Sequence, residues 1–426
     1  MISAWASARL AARGIHYGWI MVAVTFLTAL ISSASVGAPG VFILPLEKEF
    51  GWSTTQISSA LSIRLLLFGL MAPFAAALMV RFGLRNVVMS ALTIIAIGLL
   101  ASLAMTQAWH LIALWGFVVG FGTGMTAMVL GATVATRWFV AHRGLVVGIL
   151  AASVATGQLI FLPIMAYLTE AYGWRVALGT MCVMLALAAI NVMLFMADRP
   201  SDLGLRPVGD EGTATAAPAP AANSIVAAAF SALRDASKTR VFWILFGTFF
   251  ICGASTNGLV QTHLIPMCAD FGIPATTSAS LLAAMGIFDF FGTIISGWLS
   301  DRYSNRWLLF WYYGLRGLSL IFLPFTDFSF YGLSLFAVFY GLDWIATVPP
   351  TVKLTAKHFG PERAAMVFGW VFVGHQLGSA TAAFGAGLTR TLYETYLPAF
   401  FAAGVLCLIA AAVMMLVRPG PKAAAA

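Results

Sequence analysis

Apolar runs of about 20 residues, bounded by charge, Gly or Pro, recur twelve times along the chain. A run of that length crosses the hydrocarbon core as one helix. Six of them, at 17–44, 53–79, 86–106, 109–136, 144–167 and 175–196, precede a polar interval. Six more follow it, at 242–267, 277–299, 307–324, 328–354, 364–389 and 397–417. The pattern predicts an all-α membrane protein, twelve transmembrane helices in two pseudo-symmetric six-helix bundles. The bundles span 1–197 and 241–426, and 198–240 joins them. That joining stretch carries Pro200, Pro207, Pro218 and Pro220 in an Ala-, Gly- and Thr-rich background, too little apolar surface to order itself, and is expected to be a flexible linker. Within it, 224–237 sets Ile225, Phe230 and Leu233 among polar positions, as an amphipathic surface helix would.

Composition sharpens this picture. Of the 426 residues 61% are hydrophobic and 9% charged, against roughly 25% charged in soluble chains, which excludes a soluble globule. The net charge of +8 comes without zinc-ligand clusters or nucleic-acid-binding signatures, so no nucleic acid partner is implied. It sorts by topology instead. With the N-terminus in the cytoplasm, eighteen Lys and Arg residues fall on cytoplasmic segments and three, Lys48, Arg175 and Arg390, fall outside. Basic residues are retained on the cytoplasmic side, which places both termini and the linker there. The first apolar run is too long and lacks the cleavage site of a signal peptide, so it stays as a span. Cys182, Cys252, Cys268 and Cys407 sit in apolar runs without metal-ligand spacing, as packing residues do. The sequence holds no phosphate-binding G-x-x-x-x-G-K-[ST] loop and no H-E-x-x-H set, so neither ATP-driven pumping nor an intramembrane enzyme is expected, and no cofactor or metal.

An internal repeat supports the division. Leu78 to Asn86 can be laid over Leu299 to Trp307, matching Arg81 to Arg302 and Arg85 to Arg306 at an offset of 221. Arg137-Trp138-Phe139 with Arg143 matches Lys357-His358-Phe359 with Arg363 at an offset of 220. Six plus six helices, a cytoplasmic linker and this repeated basic loop together resemble the major facilitator superfamily over the whole chain. The most specific piece runs from Gly297 through Asp301-Arg302 to Arg306; the first copy has Val80 where the Asp would stand. The resemblance implies that Arg81, Gly297, Asp301 and Arg302 help gate the two halves. Tyr17-Gly18-Trp19, the stretch Leu46 to Ser53, and Gly286-Ile287-Phe288-Asp289 further resemble bacterial relatives of the monocarboxylate transporters and oxalate:formate exchangers. Two departures stand out. The first helix has no Lys, and Thr293 lies where animal members of that group carry an Arg.

Ionisable groups at membrane depth cost roughly 2.5–3.5 kcal/mol each on insertion scales, so each needs a partner, a wet cavity or a function. Four stand out: Arg64, Asp289, Arg316 and Asp343. Asp289 and Asp343 are candidates for carrying a proton, and Arg64 and Arg316 for binding a carboxylate through paired hydrogen bonds. Each has a structural alternative, an Arg316–Asp343 ion pair or an Arg64 that snorkels to the interface. A second tier of candidate substrate contacts is uncharged: Gln158, Asn257, Gln261, His375 and Gln376. Asn257 and Gln261, four apart, share a helix face. Pro349-Pro350 should bend the tenth helix. The Gly-rich fourth and eleventh helices could pack closely or hinge.

The resemblance implies a secondary transporter of the bacterial inner membrane, acting as a monomer in membrane lipid. It would move a small organic anion, a monocarboxylate, together with protons by alternating access. The alternative that the same charges allow is proton-driven efflux of amphipathic or cationic compounds.

Overall fold

A computed structural model describes residues 7, 9, 12–126, 128–140, 143–210, 222–326 and 328–417. Within its helices the side chains of several positions, Gln158 and Asp301 among them, lie outside the described set. The described chain is helical, with one isolated bridge between Phe139 and Val208. In the first bundle the helices are α1 (Gly18–Gly37), α2 (Pro39–Phe50), α3 (Thr54–Leu70), α4 (Ala72–Phe82), α5 (Leu84–Ser102), α6 (Ala108–Thr126), α7 (Met128–Trp138), α8 (Arg143–Tyr172) and α9 (Trp174–Phe195). Then come a linker helix α10 (Ala222–Ala236) and the second bundle: α11 (Arg240–Asp270), α12 (Ala275–Arg302), α13 (Asn305–Phe322), α14 (Phe330–Asp343), α15 (Val348–Phe359), α16 (Pro361–Tyr393) and α17 (Leu397–Met414). Among the described residues nine helices or joined helices are long and apolar enough to cross a membrane. With the further long passages α3–α4, α8 and α16, the order is consistent with twelve crossings.

Three of these crossings are interrupted. Pro39 divides the first into α1 and α2, Met71 the second into α3 and α4, and residues 344–347 the tenth into α14 and α15. Two others widen locally to π-helix, at Ile112–Val119 in α6 and Ala254–Val260 in α11.

The bundles meet along a seam that is closed at the end away from the linker. There Thr55 Oγ1 lies 2.7 Å from Thr391 Oγ1 and donates to the Gly387 carbonyl at 3.2 Å. Ser62 Oγ donates to the Ala380 carbonyl at 2.6 Å, and Thr276 N donates to Glu170 Oε1 at 3.0 Å. Gly40 is pressed against the Thr262 carbonyl so closely that a Cβ would stand 2.6 Å from it. Pro266, four residues on, has no N–H with which to occupy that carbonyl. Among the glycines of helices four and eleven, Gly120, Gly124, Gly374, Gly378 and Gly387 likewise face a neighbour with no room for a Cβ or very little. They serve close packing.

Residues 198–210, expected to be flexible, are instead bound down. Asp198 Oδ1 accepts from the Arg85 N–H at 2.8 Å, standing in space beside the loop that lacks its own Asp at Val80. Val208 N donates to the Trp138 carbonyl at 2.8 Å, Val140 N donates back to Val208 at 2.9 Å, and His16 Nε2 reaches the Arg206 carbonyl at 2.9 Å. Leu203, Leu205 and Val208 pack against the core beside this backbone pairing. The amphipathic helix α10 forms close to its expected bounds and packs on α4 of one bundle and α16 of the other.

Gly40→Val should force the seam apart at its closed end. Spin labels at the exposed positions 48 and 393 should then show a new longer-distance population; an unchanged distance distribution would mean that this contact does not set the closure. At the same end Glu49 accepts from Trp174 Nε1 at 2.6 Å and from Arg175 Nη1 at 2.7 Å. The Trp174 bond first, then Arg175, holds its carboxyl below the usual range. A lowered pKa gives stability that is present above the unfolded value, about 4.3, and is lost as the pH falls through the lower folded value. Thermal melts of the native chain and Glu49→Gln should therefore differ at pH 6 and converge toward pH 3.

Candidate functional site

The charged residues predicted at membrane depth converge on broken helices. Pro349 and Pro350 have no N–H groups, so the carbonyls of Ile345 and Ala346 lose their usual helical donors, and the turn between α14 and α15 frees those before them. Arg316, on α13, answers most of this. Its Nη2 donates to the Asp343 carbonyl at 2.5 Å and the Trp344 carbonyl at 3.0 Å. Its Nε donates to Asp343 Oδ2 at 2.6 Å, and its Nη1 to Cys252 Sγ at 3.0 Å. Ser296 Oγ donates to the Ala346 carbonyl at 2.5 Å. Asp289 takes a donor of the same break: its Oδ1 accepts from the Ile345 N–H at 2.8 Å and from Thr293 Oγ1 at 3.0 Å. Thr293, where a resembling family carries Arg, thus orients Asp289 as a hydrogen-bond donor.

Arg64 does the same for the first crossing. Pro39 cannot donate to the Ser35 carbonyl, and Arg64 Nη1 does so at 2.6 Å while Nη2 reaches the Val36 carbonyl at 3.1 Å. It is 5% exposed and lines a small space walled by Phe42, Trp115 and Leu178, inside the first bundle. The snorkelling alternative does not hold, and the guanidinium points at backbone, not at the seam.

Arg64 is thus engaged with backbone carbonyls, and Arg316 with backbone carbonyls and Asp343, whose Oδ1 is buried without a hydrogen-bond partner. Asp289 differs: among the described residues it forms no ion pair. Other candidate polar groups lie near the middles of their own helices. Asn257, half-buried, sits in the π-helical stretch of α11, whose widened turn is spanned by Thr262 Oγ1 donating to the Asn257 carbonyl at 2.7 Å. His375 and Gln376 lie halfway along α16. Gln376 packs against Gly69 where α3 meets α16, and its Oε1 is buried without a partner, as is His375 Nδ1 between the rings of Phe249 and Phe372. Gln261, 9% exposed, lies a turn beyond Asn257 toward the closed end. Gln158 falls on α8, but its side chain is outside the described residues.

In the loop expected to gate, Arg302 folds back on its own helix, over the Trp298 ring at 4.1 Å and donating to the Trp298 carbonyl at 3.3 Å. Arg81 is exposed and lies over Phe82, and Gly297 has open space around it. The Asp301 side chain lies outside the described residues. Sequence reasoning missed Ser296 and Cys252 as partners of the tenth helix. The signal was available in the prolines, since each names the carbonyl four residues before it as an orphan.

Two bundles, broken crossings and polar groups near helix middles define a secondary carrier fold. The Major Facilitator Superfamily model matches residues 25–383 and 260–426, and the chain belongs to that family. It is 23% identical over 397 residues to the uncharacterized MFS-type transporter YcxA of Bacillus subtilis (strain 168), covering 89% of this chain and 90% of that protein. To monocarboxylate transporter 13 of Rattus norvegicus it is 26% identical over 403 residues, covering 94% and 88%. Among solved structures it resembles the D-xylose-proton symporter (TM-score 0.68, 15% identity, 95% and 98% covered). It also resembles a bacterial homolog of the human lysosomal transporter Spinster in an inward-facing, occupied conformation (TM-score 0.72, 16% identity, 93% and 96% covered).

Removing one member of a buried ion pair strands the other, at a cost of about 3–5 kcal/mol. Arg316→Met should lower the melting temperature in detergent sharply, and Arg316→Met with Asp343→Leu should recover part of the loss. The backbone carbonyls of 343 and 344 would stay unsatisfied, so recovery should be incomplete. A double variant no more stable than the single one would show that the charge pairing is not what holds the site.

Proposed function

We propose that this chain is a proton-coupled transporter of a small monocarboxylate across the bacterial inner membrane, with both termini and the 198–240 connector on the cytoplasmic side. The observation that carries the reading is Asp289, a carboxyl group at mid-membrane without an ion pair among the described residues, beside the break in the tenth helix. With Arg64 and Arg316 both spent on backbone, a substrate carboxylate would meet neutral donors, Asn257 and Gln376, and the proton on Asp289 would offset its charge. An ion in a low-dielectric site is costly unless its charge is neutralised, so anion and proton would move together. The monocarboxylate transporters among the relatives favour the same substrate class. The closed seam away from the linker fits a carrier facing the cytoplasm, and the swing to the other side would open that seam and close the linker end.

Reconstituted vesicles test this directly. Uptake of lactate-like acids should be driven by an inward proton gradient in the native protein, and Asp289→Asn should abolish accumulation while leaving slow downhill exchange. Gradient-driven accumulation by Asp289→Asn with its pH dependence intact would remove Asp289 from the coupling. Gradient-driven extrusion of lipophilic cations with no acid uptake would favour the efflux alternative.

A further inference from the structure

A groove of about 300 Å³ runs down the outside of the second bundle between α11 and α17, walled by Trp243, Gly247, Ile251 and Val413 and floored by Thr248 and Ala410. Its chemistry selects the occupant. The Thr248 hydroxyl is turned away, donating to the Ile244 and Leu245 carbonyls at 2.8 and 3.2 Å, so the floor has no free donor to offer and suits only hydrocarbon. At roughly 30 Å³ per group of water or methylene size, the volume takes about ten methylenes. From Trp243 to Ile251 the helix rises about 12 Å, comparable with an extended chain of that number. Gly247 is what leaves the groove open: a Cβ there would meet nothing within 4 Å.

The mouth has the opposite character. One turn before Trp243 the chain exposes Arg240 and Lys238, with Arg234 a further turn back. Lys238 has only a loose pairing with Asp235 at 3.7 Å, both side chains well exposed. Trp243 Nε1 donates to the Ser237 carbonyl at 2.7 Å, which pins the indole between mouth and groove. An apolar slot one acyl chain wide, opening on two or three cations at the membrane surface, matches a molecule with a hydrocarbon tail and a negatively charged head. We propose that this is a binding site for one anionic phospholipid of the leaflet on the linker side, an acyl chain in the groove and its phosphate on Lys238 and Arg240. The head sits at the joint between α10 and α11. Since α10 rests on both bundles, with Phe230 5.5 Å from Trp370 on α16, the lipid would fix the seating of the linker helix. The site does not depend on which solute is carried.

Delipidated protein titrated with phosphatidylglycerol or phosphatidylcholine of the same chains, read by native mass spectrometry and thermal melts, tests it. The first phosphatidylglycerol should bind roughly tenfold or more tightly than phosphatidylcholine, as expected for two basic residues at the membrane surface, and should raise the melting temperature. Lys238→Gln with Arg240→Gln should erase the preference between the lipids. Gly247→Leu, whose Cβ has open space and whose side chain would occupy the slot, should weaken both. Equal binding of the two lipids by the native chain, or native phosphatidylglycerol affinity in either variant, would overturn the assignment. So would full protection by inorganic phosphate that persists in Gly247→Leu, since the head alone would then account for binding.

Discussion

Every backbone N–H and C=O at membrane depth must find a partner inside the protein, because no water is there to supply one. In this chain that requirement organises the centre of the molecule. The first and tenth crossings are both broken by proline, and both breaks are closed by a guanidinium from the following or preceding helix: Arg64 on the Ser35 and Val36 carbonyls, Arg316 on those of Asp343 and Trp344. An Arg suits this work since its fork presents several donors in fixed geometry, where a Lys would offer one point charge. Asp343 then neutralises Arg316, while Ser296 takes the Ala346 carbonyl and Asp289 the Ile345 N–H.

The same requirement separates two kinds of intramembrane charge. One kind balances itself and its backbone within one bundle, as the paired Arg316 and Asp343 do. The other kind is held only by hydrogen bonds to neutral groups, as Asp289 is by Thr293 and Ile345. A carboxyl so placed can change its protonation without breaking an ion pair, whereas Asp343 would strand Arg316 if it did.

Much of this was legible in the sequence. Run length and basic-residue asymmetry led to the helices and the two bundles, because both follow from the bilayer itself and not from tertiary detail. Pro349-Pro350 marked the tenth break. The roles of the charges were not legible, because they depend on which neighbour each guanidinium reaches. Nothing in the spacing of Arg64 from Pro39, 25 positions apart, says that one answers the other. Nor does the Pro-rich composition of the linker reveal that Leu203, Leu205 and Val208 pack against the first core while Val208 pairs with Trp138 and Val140.

The closed seam and the broken helices are linked by the position of the breaks. Gly40, directly after the Pro39 break, is the residue that meets the Thr262 carbonyl across the seam, and Gly69, two residues before the Met71 break, meets Gln376. A straight helix would hold one direction along its length and could match the partner bundle at one end only. By breaking next to the contact, each crossing can lie against the other bundle at the closed end and follow its own bundle toward the linker. The Arg64 cap makes such a break tolerable in lipid, so a charge held on backbone carbonyls sets the geometry through which a solute would pass.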